Sequence, residues 1–242
     1  MRIRRTVTAL VSLGTAALPL LAVPPASATD YTADTSTVIL ASRTDLAYHD
    51  TLVLKGAVQF VDETTGEAHS LGGSQVTLSR QWRGSDAWRK IATTTTRLQD
   101  NVYVYTFKQT VTRNATYRVS YAGETRTSPD GLNTVTFAPS QASRKVWVGH
   151  KVTGRFVEPR PHHVFIKGTA TPYAGKVVYL QRKTCKACRF KAYDKVRTSR
   201  TGVFRFPVDF PRTRTSWWYR VKVPASTRYA VTYSKLFRAY AY

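Results

Sequence analysis

Cys185 and Cys188 stand three apart in Thr184-Cys185-Lys186-Ala187-Cys188-Arg189, and they are the two cysteines of this 242-residue chain. Three chemistries compete for such a pair. A redox Cys-x-x-Cys opens a helix in a thioredoxin-like α/β unit, and the surrounding sequence offers neither. A zinc site needs four ligands; there is no second cysteine pair, and His162 and His163 follow Pro161 in a loop where nothing fixes their distance. A disulfide across a small loop stabilises by about 2 kcal/mol in the chain-entropy picture. A Cys185–Cys188 bond is therefore the favoured expectation, with free thiols and metal as alternatives. The five histidines, His49, His69, His150, His162 and His163, follow no catalytic spacing. Gly-x-Ser-x-Gly, His-Glu-x-x-His and phosphate-loop patterns are missing. Beyond residue 138 the acids are Glu158, Asp194 and Asp209, too few for an easy two-carboxylate site. The loop Asp62-Glu63-Thr64-Thr65-Gly66-Glu67 reads as a hairpin turn with solvated acids before it reads as a weak calcium site. The expectation is a non-enzyme without metal or cofactor.

Charge says more than chemistry. The chain holds 37 Lys and Arg against 14 Asp and Glu, a formal +23. Residues 29–138 balance 11 basic against 11 acidic residues, whereas residues 139–242 carry 23 basic residues against three acids, a net +20. Basic residues interleave with aromatics in Arg182-Lys183, Lys186, Arg189-Phe190-Lys191 and Arg212-Thr213-Arg214-Thr215-Ser216-Trp217-Trp218. A surface of one sign concentrates polyanions and speeds encounter with them. Arg182, Lys183, Lys186, Arg189, Lys191, Arg212 and Arg214 are the candidate contacts, with the disulfide holding four of them around a rigid tip. A solvated charged face is the plainer alternative, and self-repulsion at +20 weighs against it.

Elements must carry these residues. Hydrophobic content of 42% suffices for packed cores. Beyond residue 28 apolar and polar residues alternate in short runs rich in Val, Tyr, Phe and Thr, which marks half-buried strands of an all-β protein. The pattern also repeats. Gly73, Val76, Leu78 and Arg80 match Gly175, Val178, Leu180 and Arg182 at an offset of 102, as Tyr117-Arg118-Val119 matches Tyr219-Arg220-Val221. Tyr103, Tyr105 and Phe107 are paired with Phe204, Phe206 and Val208 at 101, and Lys55-Gly56 with Lys167-Gly168 at 112. Seven strands are expected per unit: near 37–40, 52–61, 75–81, 88–95, 102–110, 116–121 and 133–137, then near 146–157, 164–170, 176–182, 193–198, 203–208, 217–223 and 231–237. Period two turns Tyr117, Val119, Tyr219 and Val221 inward and Arg118, Arg220 and Lys222 outward. The expected division is 29–138, a linker at 139–143, and 144–242.

The order Lys-Gly, Gly-x-x-Val-x-Leu-x-Arg, Trp or Tyr, aromatic strand, Tyr-Arg-Val resembles bacterial immunoglobulin-like or fibronectin-III-like modules of secreted Gram-positive proteins, over residues 36–242. The resemblance implies two tandem immunoglobulin-like β-sandwiches and transfers no functional residue. It also implies a phenol hydrogen bond to nearby main chain from Tyr117 and Tyr219.

Residues 1–28 read as a secretory leader: Arg2, Arg4 and Arg5, an apolar stretch from Val7 to Leu21, a break at Pro24-Pro25, and Ala26-Ser27-Ala28 for cleavage. The stretch is shorter than a membrane-spanning helix needs. The expectation is a secreted, non-catalytic binding protein whose basic half engages an anionic cell-wall polymer, anionic membrane or other extracellular polyanion, with no sequence-specific nucleic acid recognition. A salt-insensitive protein-interaction or adhesion module, using edge strands or Trp217 and Trp218, is the second expectation, and an enzyme the third.

Overall fold

The computed structural model describes residues 29–62, 65–128, 131, 133–160 and 163–240. The leader, His162 and part of the Asp62–Glu67 loop lie outside them. Among the described residues all regular structure is strand, and no helix is long and apolar enough to cross a membrane. Along the first half run β1 (Thr29–Ala33), β2 (Thr35–Ala41), β3 (Asp45–Ala47), β4 (Thr51–Val61), β5 (Ala68–Ser70), β6 (Gln75–Trp82), β7 (Trp88–Thr95), β8 (Arg97–Gln99), β9 (Val102–Thr110), β10 (Ala115–Tyr121), β11 (Glu124–Thr127), β12 (Asn133–Phe137) and β13 (Ser140–Gly149). Then follow β14 (Lys151–Arg160), β15 (His163–Thr171), β16 (Val177–Lys183), β17 (Lys191–Arg197), β18 (Val203–Pro207), β19 (Ser216–Val223), β20 (Thr232–Tyr233) and β21 (Phe237–Tyr240).

Two apolar clusters organise these strands. The first lies between the sheet β2-β4-β9-β8 and the sheet β3-β13-β10-β6-β7, joining Leu52, Leu54, Tyr105 and Phe107 of one to Val76, Leu78, Tyr117 and Val146 of the other. The second lies between β14-β15-β18 and β17-β16-β19-β20, with β21 beside β19, and joins Ile166, Phe204 and Phe206 to Val178, Leu180, Tyr219 and Phe237. Each buried aromatic or aliphatic side chain contributes roughly 1.5–3 kcal/mol by leaving water. A small sheet, β1-β12-β11, caps the first cluster through Phe137 and Ala33.

The repeat is visible in the geometry. Gly73 and Gly175 both turn with positive φ, 72° and 64°. Thr96 Oγ1 donates to the Leu71 carbonyl and accepts from Ser74 N; Thr198 Oγ1, 102 residues on, donates to the Tyr173 carbonyl and accepts from Lys176 N. Gly56 and Gly168 sit where another backbone crosses closely: a Cβ would lie 1.8 Å from the Val38 carbonyl oxygen in one and 2.0 Å from that of Thr153 in the other.

Three expectations need correction. Residues 139–143 form no linker: Ser140 to Val146 pair antiparallel with Tyr121 to Ala115, and Trp147 to Gly149 pair parallel with Asp45 to Ala47, so β13 belongs to the first cluster's sheet. The strand expected at 146–157 is accordingly two, β13 and β14, which separate at His150. The aromatic strands align at 99 rather than 101, because Gly56 pairs with Tyr105 and Gly168 with Phe204. A slip of two residues keeps the same side chains inward, so alternation alone does not detect it.

The halves meet at a polar-aromatic seam. Buried Asn114 accepts from Val148 N through Oδ1 (2.7 Å), donates from Nδ2 to the Thr227 carbonyl (3.2 Å), and donates from its own N–H to the Arg228 carbonyl (2.8 Å). Tyr229 packs against the first cluster and its ring lies 4.4 Å from that of His150, which also meets Tyr173 edge-on at 4.8 Å. His150 is 2% exposed and neither ring nitrogen has a hydrogen-bond partner in good geometry. Burial, then the Lys176 cation, lower its pKa from 6.5 to about 4, against a smaller opposing effect of the Pro172 backbone.

Two predictions follow from this packing. Gly56→Ala and Gly168→Ala each force a backbone crossing apart and are expected to destabilise the fold by about 2–4 kcal/mol; chemical unfolding midpoints equal to the native one would show that the crossings are looser. The unfolded chain binds a proton at His150 below pH 6.5 and the folded chain only near pH 4, so stability is intact above 6.5 and declines as pH falls to 4. The decline is on the order of 2–3 kcal/mol, and His150→Phe should flatten it in urea titrations at successive pH values.

Candidate functional site

Alternation along β16 and β19 sorts the basic half into an inside and an outside. Val178 and Leu180 of β16 and Tyr219, Val221 and Val223 of β19 are buried, which turns Tyr179, Gln181 and Lys183 and also Trp218, Arg220 and Lys222 outward. Register places Tyr179 opposite Lys222, Gln181 opposite Arg220 and Lys183 opposite Trp218. Neighbouring strands add Lys195 beside Tyr179, Tyr233 beside Lys222 and Arg238 beside Trp218. The outer face of this sheet is thus built of cations and rings in alternation.

These side chains are organised by one another. The Lys183 ammonium lies 5.3 Å from the Trp218 ring centre and 5.4 Å from that of Phe190, while the Arg220 guanidinium lies 4.1 Å from Phe190 and 4.0 Å from Tyr233. Trp218, Lys183, Phe190, Arg220 and Tyr233 form one chain of contacts in which each cation is shared by two rings. Arg220 Nε also donates to Gln181 Oε1 (2.8 Å), and Lys183 Nζ donates to the Lys186 carbonyl (2.7 Å).

The disulfide between Cys185 and Cys188 is formed, with its Cα atoms 5.1 Å apart. Beside it a depression of about 580 Å³ is lined by Arg182, Lys183, Thr184, Cys188, Arg189, Lys191, Ala192 and Tyr193. Four of the seven cations singled out by the sequence therefore converge. Lys186 stands exposed at the tip itself. Arg212 and Arg214 are exposed on the 208–215 loop and do not line the depression.

Arg182 plays a different part from its neighbours. It is the inward-phase residue at the end of β16, stacked 4.3 Å from Tyr193 and 4.4 Å from Trp217, with Nη1 3.9 Å from the Asp209 carboxylate. The Tyr193 hydroxyl donates to that carboxylate, and the Tyr219 hydroxyl donates to the Asp209 main-chain oxygen (2.8 Å). Burial first, then the Asp209 hydrogen bond, pushes the Tyr193 phenol well above its ordinary range. Of the two expected tyrosine bonds to main chain, Tyr219 makes one. Tyr117 does not: its buried hydroxyl has no main-chain partner and meets the Arg80 cation instead, the 111–114 connection being shorter than the 208–215 loop that brings the Asp209 carbonyl over Tyr219. Trp217 packs against the second cluster rather than standing free.

Among the described residues no group of three or more His, Cys, Asp or Glu is placed to hold a metal. Sequence reasoning noted Arg220 and Lys222 as outward but did not assemble them with Tyr179, Phe190, Lys195, Tyr233 and Arg238; pairing β16 with β19 at the repeat's own register carries that signal.

No protein-family model and no curated protein sequence matches the chain. Among solved structures, the human OSCAR ligand-binding domain is 14% identical with a TM-score of 0.27, over 84% of this chain and 97% of that one. The Yersinia pseudotuberculosis adhesin InvE is 11% identical with a TM-score of 0.29, over 84% of this chain and 58% of that one. Salmonella alpha-2-macroglobulin reacted with methylamine is 10% identical with a TM-score of 0.31, over 85% of this chain; the chain spans 15% of that protein's length.

Opening the tip by Cys185→Ser with Cys188→Ser is expected to cost about 2 kcal/mol and to leave the sheet in place. Unfolding by guanidinium, followed by tryptophan emission, measures it; loss of cooperative unfolding would show that the bond holds more than its loop.

Proposed function

We propose that this is a secreted protein of two tandem immunoglobulin-like β-sandwiches behind a cleaved leader, of the kind found in Gram-positive bacteria, and that its basic second half binds a polyanion without catalysing a reaction. The ligand class is the polyanion of a cell surface: wall polymer, anionic membrane or extracellular acidic polymer. The observation that carries this reading is unbalanced charge. With β13 assigned to the first half, residues 29–149 carry 13 basic residues against 11 acids and residues 150–242 carry 21 against three, so a net +18 still sits on the second half. Support comes from the convergence of Arg182, Lys183, Arg189 and Lys191 on one depression. A disulfide suits an oxidising space outside the cytoplasm.

Contacts to a polymeric anion release condensed counterions, so affinity falls steeply with salt. On immobilised anionic polymer the chain is expected to bind at low salt and to lose affinity by on the order of 10³-fold between 50 and 200 mM salt, as about six phosphate-type contacts require. Failure to bind at low salt, or retention indifferent to salt, would sink the reading; the second result would favour a protein-interaction module.

A further inference from the structure

We infer that the binding surface is the outer face of the β17-β16-β19-β20/β21 sheet, and that its occupant is an acidic polysaccharide chain. The inference rests on the polyanion reading and narrows it.

The first half serves as an internal comparison, residue by residue at an offset of 102. Inward positions are kept: Val76, Leu78, Tyr117 and Val119 recur as Val178, Leu180, Tyr219 and Val221, all buried. Outward positions are not. Thr77, Ser79 and Gln81 become Tyr179, Gln181 and Lys183; Thr116 and Ser120 become Trp218 and Lys222; only Arg118 recurs, as Arg220. The cross-strand pairs are the same in both halves, since Thr77 faces Ser120, Ser79 faces Arg118 and Gln81 faces Thr116. On the flanking strands the first half also carries Trp88, Lys90 and Lys145, with Arg118 4.0 Å from the Trp88 ring. The difference lies on the two central strands, where hydroxyls and an amide serve the fold at the positions that become Tyr179, Lys183, Trp218 and Lys222.

The face is already arranged for an anion. Arg220 and Lys183 are held by Phe190, Trp218, Tyr233 and Gln181 rather than by carboxylates, and the Arg220 bond to Gln181 is made by Nε, not by the terminal guanidinium nitrogens. Cations recur at sheet spacing, about 4.8 Å between strands and about 6.8 Å between alternate residues, so they suit a chain with regularly placed anions.

The rings decide which chain. An acidic polysaccharide repeats a carboxylate or sulfate together with an apolar sugar face. A polyol phosphate has the anion without the face. A bilayer surface asks for rings that project past the cations, and here the cations pack on the rings. Single-stranded nucleic acid stacks successive bases on successive open ring faces, whereas Phe190, Trp218 and Tyr233 each already carry a cation; Tyr179, 36% exposed, is left as a single open ring among cations, which suits one sugar face rather than a run of bases.

The test compares the chain expressed from residue 29 with two variants. One places first-half residues on the face: Tyr179→Thr, Lys183→Gln, Trp218→Thr and Lys222→Ser. The other, the tip variant, neutralises loop cations that do not line the depression: Lys186→Gln, Arg212→Gln and Arg214→Gln. Probes are heparin, polygalacturonate, polyphosphate, oligothymidylate and phosphatidylglycerol vesicles, with affinity measured across salt and folding checked by circular dichroism. The face variant is expected to lose at least about tenfold in affinity for the two polysaccharides, and its salt slope to fall by roughly 1.5 for two lost contacts. The tip variant should stay within about threefold of native. Should the four-residue variant misfold, Lys183→Gln with Lys222→Ser, which leaves every ring in place, must give the same slope change. A face variant that binds as the native chain does, a tip variant that loses more, or tighter binding of polyphosphate, oligothymidylate or vesicles overturns the inference while leaving polyanion binding intact. A native chain that binds none of the five overturns the polyanion reading itself.

Discussion

Eighteen net positive charges must find room on a unit whose interior admits none of them. The second cluster is built from Ile166, Val178, Leu180, Phe204, Phe206, Tyr219 and their neighbours, and an unpaired cation placed among them would cost several kcal/mol in lost hydration. Alternation therefore drives every cation of β16 and β19 either outward or to the sandwich end. At the end, Arg182 finds Asp209 and two rings. On the outer face Lys183 and Arg220 find rings and neutral acceptors, the Lys186 carbonyl and the Gln181 side chain. An exposed cation over an aromatic ring gains roughly 0.5–1 kcal/mol, enough to hold a side chain in place but not enough to cancel its repulsion of the next. The face is left ordered and electrostatically unsatisfied, the condition that the proposed polyanion would relieve.

The duplicated core and the seam determine where this face is presented. Asn114 and Tyr229 tie the 224–231 connection of the second half to the end of the first. The seam also brings Arg113 toward Arg228; burial first, and then that cation, lower the Arg113 pKa. Like charges are tolerated there because main-chain hydrogen bonds, indifferent to side-chain charge, carry the contact. The first half thus acts on the second through Asn114 and His150, which ties the attachment to pH.

Much of this was legible in the residues. The all-β class, the duplicated unit, the inward set and the Cys185–Cys188 bond follow from period two, offset matches and the lack of alternative cysteine chemistry. The boundary was not. Residues 139–143 look like a linker because Pro139, Ser140 and Ser143 carry no apolar alternation, yet a strand needs only main-chain partners, and β10 supplies them. The aromatic strand was aligned two residues out because inward-facing rings recur at every second position and any even shift looks equally good. The close crossings at Gly56 and Gly168 fix the alignment, and they are a property of backbone distance that side-chain pattern does not record. The site was half legible: the runs around the disulfide stand out in sequence, whereas Lys183, Arg220, Tyr233 and Phe190 come from four separate segments and meet only through cross-strand register.

The two groups of cations differ in what binding asks of them. Arg212, Arg214 and Lys186 lie on loops, and immobilising such a side chain costs about 0.5–1.5 kcal/mol each, which removes much of what one contact returns. Lys183 and Arg220 have already given up that freedom to the rings and to Gln181. Equal charge therefore does not mean equal contribution: cations on the sheet convert more of their attraction into residence time, whereas those on the loops act chiefly at a distance by raising the encounter rate. On the proposed reading, a lopsided field collects the polymer and a stiff, ring-braced lattice keeps it.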